Sequence, residues 1–159
     1  SVGAAPAAEG GGLSSYRGPG GEMTKVLFVC TGNSARSQMA EGFTRTLSRG
    51  KIEASSAGME PKGLNPFAVE AMREKGIDIS GQRSKAFSAE LARAMDYVIT
   101  VCGNAEARCP ILPPEVRRLH WPLDDPAQAK GSAEKVREIF RLSRDEIERL
   151  IRELLAGLK

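Results

Sequence analysis

Two stretches far apart in the chain share one shape. KVLFVC (25–30) and DYVITVC (96–102) are short apolar runs that both end in cysteine. Unbroken apolar runs of this length are the pattern of strands buried on both faces, which belong in a parallel sheet covered by helices. IEASSAG (52–58) alternates and is β-like, and VRRLHW (116–121) reads as a shorter edge strand. Between them lie helical patterns. RSQMAEGFTRTLSRG (36–50) spaces Met39, Phe43 and Leu47 four apart and is stopped by Gly50. NPFAVEAMREKGI (65–77) offers Asn65 as N-cap, Pro66 at the first helical position and Gly76 as terminator. From Ser132 onward, Val136, Ile139, Phe140, Ile147, Leu150, Ile151, Leu154 and Leu155 form an apolar stripe, with the charges on the solvated face. The order β-α-β-α-β-(short helical turns)-β-α predicts an α/β doubly wound domain of about four parallel strands with helices on both faces.

The 159 residues suit one domain with a real core. Residues 1–22 hold seven Gly and two Pro and little that is apolar, so they read as a disordered tail ahead of a single catalytic domain over 23–159. The tail lacks the basic and apolar regions of a secretory signal, and Met23 is a candidate original start. A net charge of +3 without a basic block, and few aromatics, argue against nucleic acid. No apolar run approaches a membrane span. Three cysteines without an export signal point to a reducing, cytoplasmic setting and to thiol chemistry rather than structural bridges. Zinc is disfavoured because no pair has close C-x2-4-C spacing, and no metal is expected.

Parallel strands end at one edge, and open α/β sheets bind ligands there, where strand order reverses. Cys30, Cys102 and Asp125 follow the first, third and fourth strands, so all three should share one crevice. Between Cys30 and Arg36 the chain reads Thr31, Gly32, Asn33, Ser34, Ala35. A tight loop of this kind aims backbone N–H groups inward as an anion nest, and the following helix adds its positive end. Gly32 and Asn33 tolerate the dihedrals of such a curl. Arg36 grips two oxygens of a tetrahedral dianion with its planar fork. The same field favours the thiolate of Cys30, and Ser37 is placed to donate to the sulfur.

The stretch VLFVCTGNSARSQMAEG resembles the active-site loop shared by low-molecular-weight protein tyrosine phosphatases and thioredoxin-coupled arsenate reductases. The phosphatases usually place Pro after the R-S pair and Cys before the Arg; Gln38 and Ala35 stand here, and RSQMAEG is similar to the reductase branch. Downstream, the C-x6-C pair Cys102 and Cys109 and the segment HWPLDDPA resemble the reductases as well, whereas the phosphatases follow Asp-Pro with tyrosines. Many reductases carry a further Cys where Ala35 stands, outside the three-thiol relay.

The resemblance implies a mechanism. Cys30 attacks arsenate held by the loop and Arg36, and Asp125 is the general acid, with Asp124 the alternative. Pro126 holds Asp125 extended. Cys102 then attacks Cys30, releasing arsenite, and Cys109 attacks Cys102, leaving a Cys102–Cys109 disulfide for reduced thioredoxin. Glutaredoxin is the alternative donor. No bound cofactor is implied; phosphate and sulfate are competing anions, and a monomer is the default. If residues 102–109 are helical, seven steps of ~1.5 Å separate the two Cα atoms by ~10.5 Å. A disulfide requires them within roughly 7 Å, so oxidation must remodel the segment. Phosphoester hydrolysis is the second reading and a non-catalytic oxyanion sensor the third. His120 and Trp121 read as structural. Some members bind potassium beneath the loop. Asn33, Glu41 and Ser56 match positions used there, but Arg83 and Lys85 replace Thr and Asp, so the Lys85 ammonium is expected to take the cation's place.

Overall fold

The computed structural model describes residues 23–158. The tail expected over residues 1–22 lies outside the described residues. The elements are β1 (Thr24–Cys30), α1 (Arg36–Leu47), β2 (Ile52–Gly58), α2 (Pro66–Arg73), α3 (Ala89–Arg93), β3 (Tyr97–Thr100), α4 (Gly103–Arg108), β4 (Arg117–His120), a 3-10 turn (Pro126–Gln128) and α5 (Ala133–Gly157). The four strands form one sheet in the order β2-β1-β3-β4, and every neighbouring pair is parallel. This is the doubly wound α/β architecture of four parallel strands that the sequence pattern predicts.

Val26, Leu27, Phe28 and Val29 of β1 are fully buried. A strand alternates its side chains between two faces, so both faces of β1 are covered, which is why the run does not alternate. The helix ends follow the local chemistry of the sequence. Asn65 Oδ1 accepts the Phe67 N–H at 2.8 Å, with Pro66 in the first turn. Ser132 Oγ accepts from Lys135 N at 3.1 Å to open α5. Gly50 and Gly76 take positive φ after α1 and α2.

α1 and α2 both pack against α5. The stripe on α5 buries Phe140, Ile147, Ile151 and Leu155. The expectation that all its charges are solvated needs correcting at Arg144, which is buried. It donates to the Ala71 carbonyl at 2.9 Å and to Glu74 Oε1 at 2.8 Å, tying α5 to α2. The sequence also showed no element over 89–93, where α3 stands, capped by Ser88. Among the described residues no helix is long and apolar enough to cross a membrane.

Strand order reverses between β1, whose sequence neighbour β2 lies on one side, and β3 on the other. Cys30 ends β1, and Cys102 follows β3 by two residues. Val101 N donates to Val29 O at 2.8 Å, so the two strand ends are in register. Beside them, the end of β2 backs directly onto the loop after β1. A Cβ built on Gly58 would lie 2.7 Å from both Asn33 N and Thr31 O. Gly58→Ala therefore forces backbone against backbone and costs about 1–3 kcal/mol. A lower melting temperature together with a smaller rise on adding phosphate is the expected result in thermal unfolding.

Candidate active site

The loop 31–35 is held from outside through its carbonyls. Met59 N donates to Cys30 O at 3.1 Å, Glu60 N to Thr31 O at 2.7 Å, Lys62 N to Gly32 O at 2.9 Å and Asn65 N to Ser34 O at 2.9 Å. Gln38 Nε2 donates to Asn33 O at 2.9 Å, and Ser84 Oγ donates to Gly32 O at 3.1 Å. In a trans peptide the C=O and N–H point in opposite directions. With the carbonyls drawn outward, the loop turns N–H groups toward the cavity it encircles, which is an anion-binding nest.

Asn33 turns the curl at φ 47°, and its buried side chain works in two directions. Oδ1 accepts from Lys85 N at 2.7 Å, and Nδ2 donates to Ser37 Oγ at 2.8 Å. That donation occupies a lone pair on Ser37 Oγ and leaves its proton free for Cys30 Sγ, 2.9 Å away. Asn33 N–H donates to the same sulfur at 3.1 Å. Two hydrogen-bond partners thus converge on one buried sulfur, the setting a nucleophilic thiol uses.

The cavity has a volume of about 390 Å³; Cys30, Arg36 and Asp125 line it, with Lys62, Asn104 and Gln128 around the mouth. Arg36 Nη1 donates to Leu123 O at 3.0 Å, and its Nη2 lies 3.6 Å from Asp125 Oδ2. Asp125 is extended at φ −87°, ψ 107°. It accepts from Ala127 N at 3.0 Å, so its carboxylate is fixed over the pocket. Asp124 does not line this cavity; it lies with Leu142 and Glu146 in a separate groove that Asp125 also borders. Lys62, Asn104 and Gln128 were not singled out from the sequence. Lys62 and Asn104 sit just beyond the ends of β2 and β3, and that position was the available signal.

Cys102 stands next to the loop without lining the cavity. Its Sγ is 3.3 Å from Thr31 Oγ1, which accepts from Asn104 Nδ2 at 2.9 Å. The sulfur also caps α4, accepting from Ala105 N at 3.4 Å. Cys109 is at the other end of α4, so the structure brings two of the three thiols to the crevice and leaves the third a helix away. All three are buried and free. Burial pushes the Cys109 thiol up, with Arg118 opposing and Glu106 adding to the effect.

Beneath the loop, Glu41 is buried. Its Oε1 accepts from Ser56 Oγ at 2.6 Å and lies 3.8 Å from Lys85 Nζ, while Oε2 pairs with Arg45. His120 Nδ1 is 2.9 Å from Thr100 Oγ1, and Trp121 packs on Phe28 at 6.0 Å. Among the described residues no three His, Cys, Asp or Glu side chains converge as a metal site would require.

Comparison with known proteins gives a consistent picture. Residues 25–159 match the low molecular weight phosphotyrosine protein phosphatase family. An arsenate reductase of Shouchella clausii is 51% identical over 122 residues, covering 77% of this chain and 88% of its own. A solved arsenate reductase in its phosphate-binding state superposes with a TM-score of 0.68 at 40% identity, over 86% of this chain and all of the other. The thioredoxin-dependent arsenate reductase of Corynebacterium glutamicum superposes with a TM-score of 0.68 at 32% identity, over 85% of this chain and 61% of the other.

The state of Cys109 can be read chemically. Because its thiol is held above the ordinary range, its alkylation in the reduced protein should quicken ~10-fold per pH unit from about pH 7 to 8.5. Peptide mass mapping follows the rate, and a plateau inside that window would contradict the raised value.

Proposed function

The chain belongs to the low molecular weight phosphotyrosine protein phosphatase family, among its arsenate reductases, and from that premise we propose that residues 23–159 act as one catalytic unit in which three cysteines reduce arsenate at the expense of thioredoxin. The observation that carries the reading is the placement of Cys102. Its sulfur touches the nucleophile's own loop through Thr31 and heads the helix that ends in Cys109. Hydrolysis of a phosphoester needs no such second thiol.

In this mechanism the loop Thr31, Gly32, Asn33, Ser34, Ala35 and Arg36 holds the oxyanion through the N–H groups it turns inward and the Arg36 guanidinium, while the Asn33 N–H stays on Cys30 Sγ. Occupancy draws Arg36 toward the anion, beside which Asp125 is held by the Ala127 N–H. Cys30 thiolate attacks arsenic and Asp125 protonates the departing oxygen, which leaves as water. Cys102 thiolate attacks Cys30 Sγ; the electron pair of the S–As bond passes to arsenic and arsenite departs, leaving Cys30–Cys102. Cys109 attacks Cys102 and expels Cys30 as thiolate. Reduced thioredoxin supplies the two electrons that open Cys102–Cys109, and every step after arsenite leaves is thiol–disulfide exchange. Phosphate and sulfate compete for the nest. The setting is cytoplasmic and the working form a monomer.

Arsenate should start continuous NADPH consumption in the presence of thioredoxin and its reductase. The Cys102→Ser variant separates reduction from hydrolysis. A reductase then yields at most one arsenite per chain, while sustained turnover of an aryl phosphate at the wild-type rate with no arsenate-dependent oxidation would establish the phosphatase. Intact mass after arsenate treatment addresses the non-catalytic sensor, which would show no loss of two hydrogens.

The cluster beneath the loop extends the proposal to ion dependence. Both Glu41 oxygens already face hydroxyl or cationic donors, which does not suit a further cation. Burial lowers the Lys85 pKa, and Glu41 opposes that shift. Lys85 thereby supplies the positive charge behind Asn33, Glu41 and Ser56, and its backbone N–H fixes Asn33. Potassium titration is expected to leave rate and melting temperature unchanged; a marked rise in either would count against Lys85 in this role.

A further inference from the structure

α4 has six residues, too few to hold a helix by itself in water. Its one buried residue is Ala105; Gly103, Asn104, Ala107 and Arg108 are exposed. What keeps it wound comes largely from the edge strand. Arg118 of β4 reaches over the end of α4, where carbonyls lack helical partners. Its Nη2 donates to Glu106 O at 2.9 Å and to Cys109 O at 3.3 Å, and Nη1 donates to Pro110 O at 2.8 Å. The same guanidinium lies 3.5 Å from Glu106 Oε1. Thr100 Oγ1 donates to that oxygen at 2.6 Å, making a second, smaller tie to the sheet. One side chain thus closes three carbonyls at the Cys109 end; those of Glu106 and Cys109 belong to the segment that must unwind before Cys102 and Cys109 can bond, and that of Pro110 follows it.

We propose that Arg118 is the latch of the relay, a positioning residue that holds α4 wound and Cys109 apart while Cys30 and Cys102 react, and that lets go when Cys109 attacks. The inference rests on the relay reading above. In the step concerned Cys109 gives up its proton, and its thiolate attacks Cys102 Sγ of the Cys30–Cys102 disulfide. The Cys102–Cys109 bond forms, the Cys30–Cys102 bond breaks, and Cys30 leaves as thiolate. The Arg118 bonds to the Glu106 and Cys109 carbonyls belong to the wound form, so they favour dithiol over disulfide. Arg118 therefore makes the final disulfide a better electron acceptor from thioredoxin, at the expense of slower closure.

The test isolates the terminal pair in a Cys30→Ser background, equilibrated at pH 7 with mixtures of dithiothreitol and its oxidised form. Two electrons and two protons pass from the Cys102/Cys109 dithiol to oxidised dithiothreitol, and alkylation with mass analysis gives the equilibrium constant. Adding Arg118→Gln should shift that constant about tenfold toward disulfide, which is about 30 mV for a two-electron couple. Arg118→Lys should fall between, since one ammonium cannot span three carbonyls. In the reduced variant the amides of Glu106 and Cys109 should exchange faster while those of β1 keep their protection. An unchanged constant in both variants, or a shift toward dithiol, overturns the latch. If β1 protection also collapses in Arg118→Gln, the Arg118→Lys constant decides, and a value equal to the parent refutes the proposal. Failure of the Cys30→Ser parent to form any Cys102–Cys109 bond would instead overturn the relay itself, and the latch with it.

Discussion

The functional end of this fold depends on how the peptide units from Cys30 to Ser34 are turned. Their carbonyls are bonded outward, mainly to the backbone of residues 59–65 and the side chains of Gln38 and Ser84. The N–H groups are left for the cavity. Nothing in the loop alone would choose that orientation, since a free curl satisfies its carbonyls as readily with water. The segment leaving β2 supplies four of the six donors named, so the continuation of a neighbouring strand organises the nest. The absence of a side chain at Gly58 lets that strand approach closely enough to do so.

The parallel register then brings the second thiol to the first. β1 pairs with β3 as Val29 with Thr100, and the next backbone bond links Val101 to Val29. Residues far apart in the chain become neighbours because both strands run the same way and stop together. That proximity is set by sheet hydrogen bonds and a buried core. Cys109 is placed differently, by a six-residue helix with one buried side chain. The proposed relay therefore joins a pair of thiols set by the sheet to a third on a short element with little buried surface, as sub-global opening requires.

How much of this was legible in the sequence varied with the range of the interaction concerned. The buried strands, the Cys30–Arg36 loop and the cap at Asn65 are local, written in apolar runs, small residues and N-cap chemistry, and they stand where the pattern put them. α3 is five residues long, too short to show a helical period, and was not seen. Arg144 lies between Phe140 and Ile147 at helical spacing, yet its charge made it read as surface. Its partners, the Ala71 carbonyl and Glu74, belong to another helix that sequence spacing cannot reveal. Lys62 and Asn104 line the cavity for the same tertiary reason, and Arg118 read only as part of an edge strand.

The capping of α4 bears on the order in which the proposed relay runs. Its N-terminus is capped by Cys102 Sγ, accepting from Ala105 N, and its C-terminus is held by Arg118. In the resting form both ends are secured, and burial keeps Cys109 as a neutral thiol, a poor nucleophile. In the proposed relay, forming Cys30–Cys102 draws the capping sulfur toward the loop and takes from the helix its side-chain N-cap on the Ala105 N–H. Arg118 and the Thr100–Glu106 tie then hold the segment from the sheet side, with the exposed contacts of Asn104 to Thr31 and Arg108 to Glu60 beside them. Unwinding exposes Cys109 and removes the burial that held its proton, so the third thiol is activated by the product of the second step. The sulfur that first holds the helix thus becomes the electrophile that Cys109 attacks, and a premature Cys102–Cys109 bond, which would strand the enzyme oxidised before it met arsenate, is opposed by the same contacts.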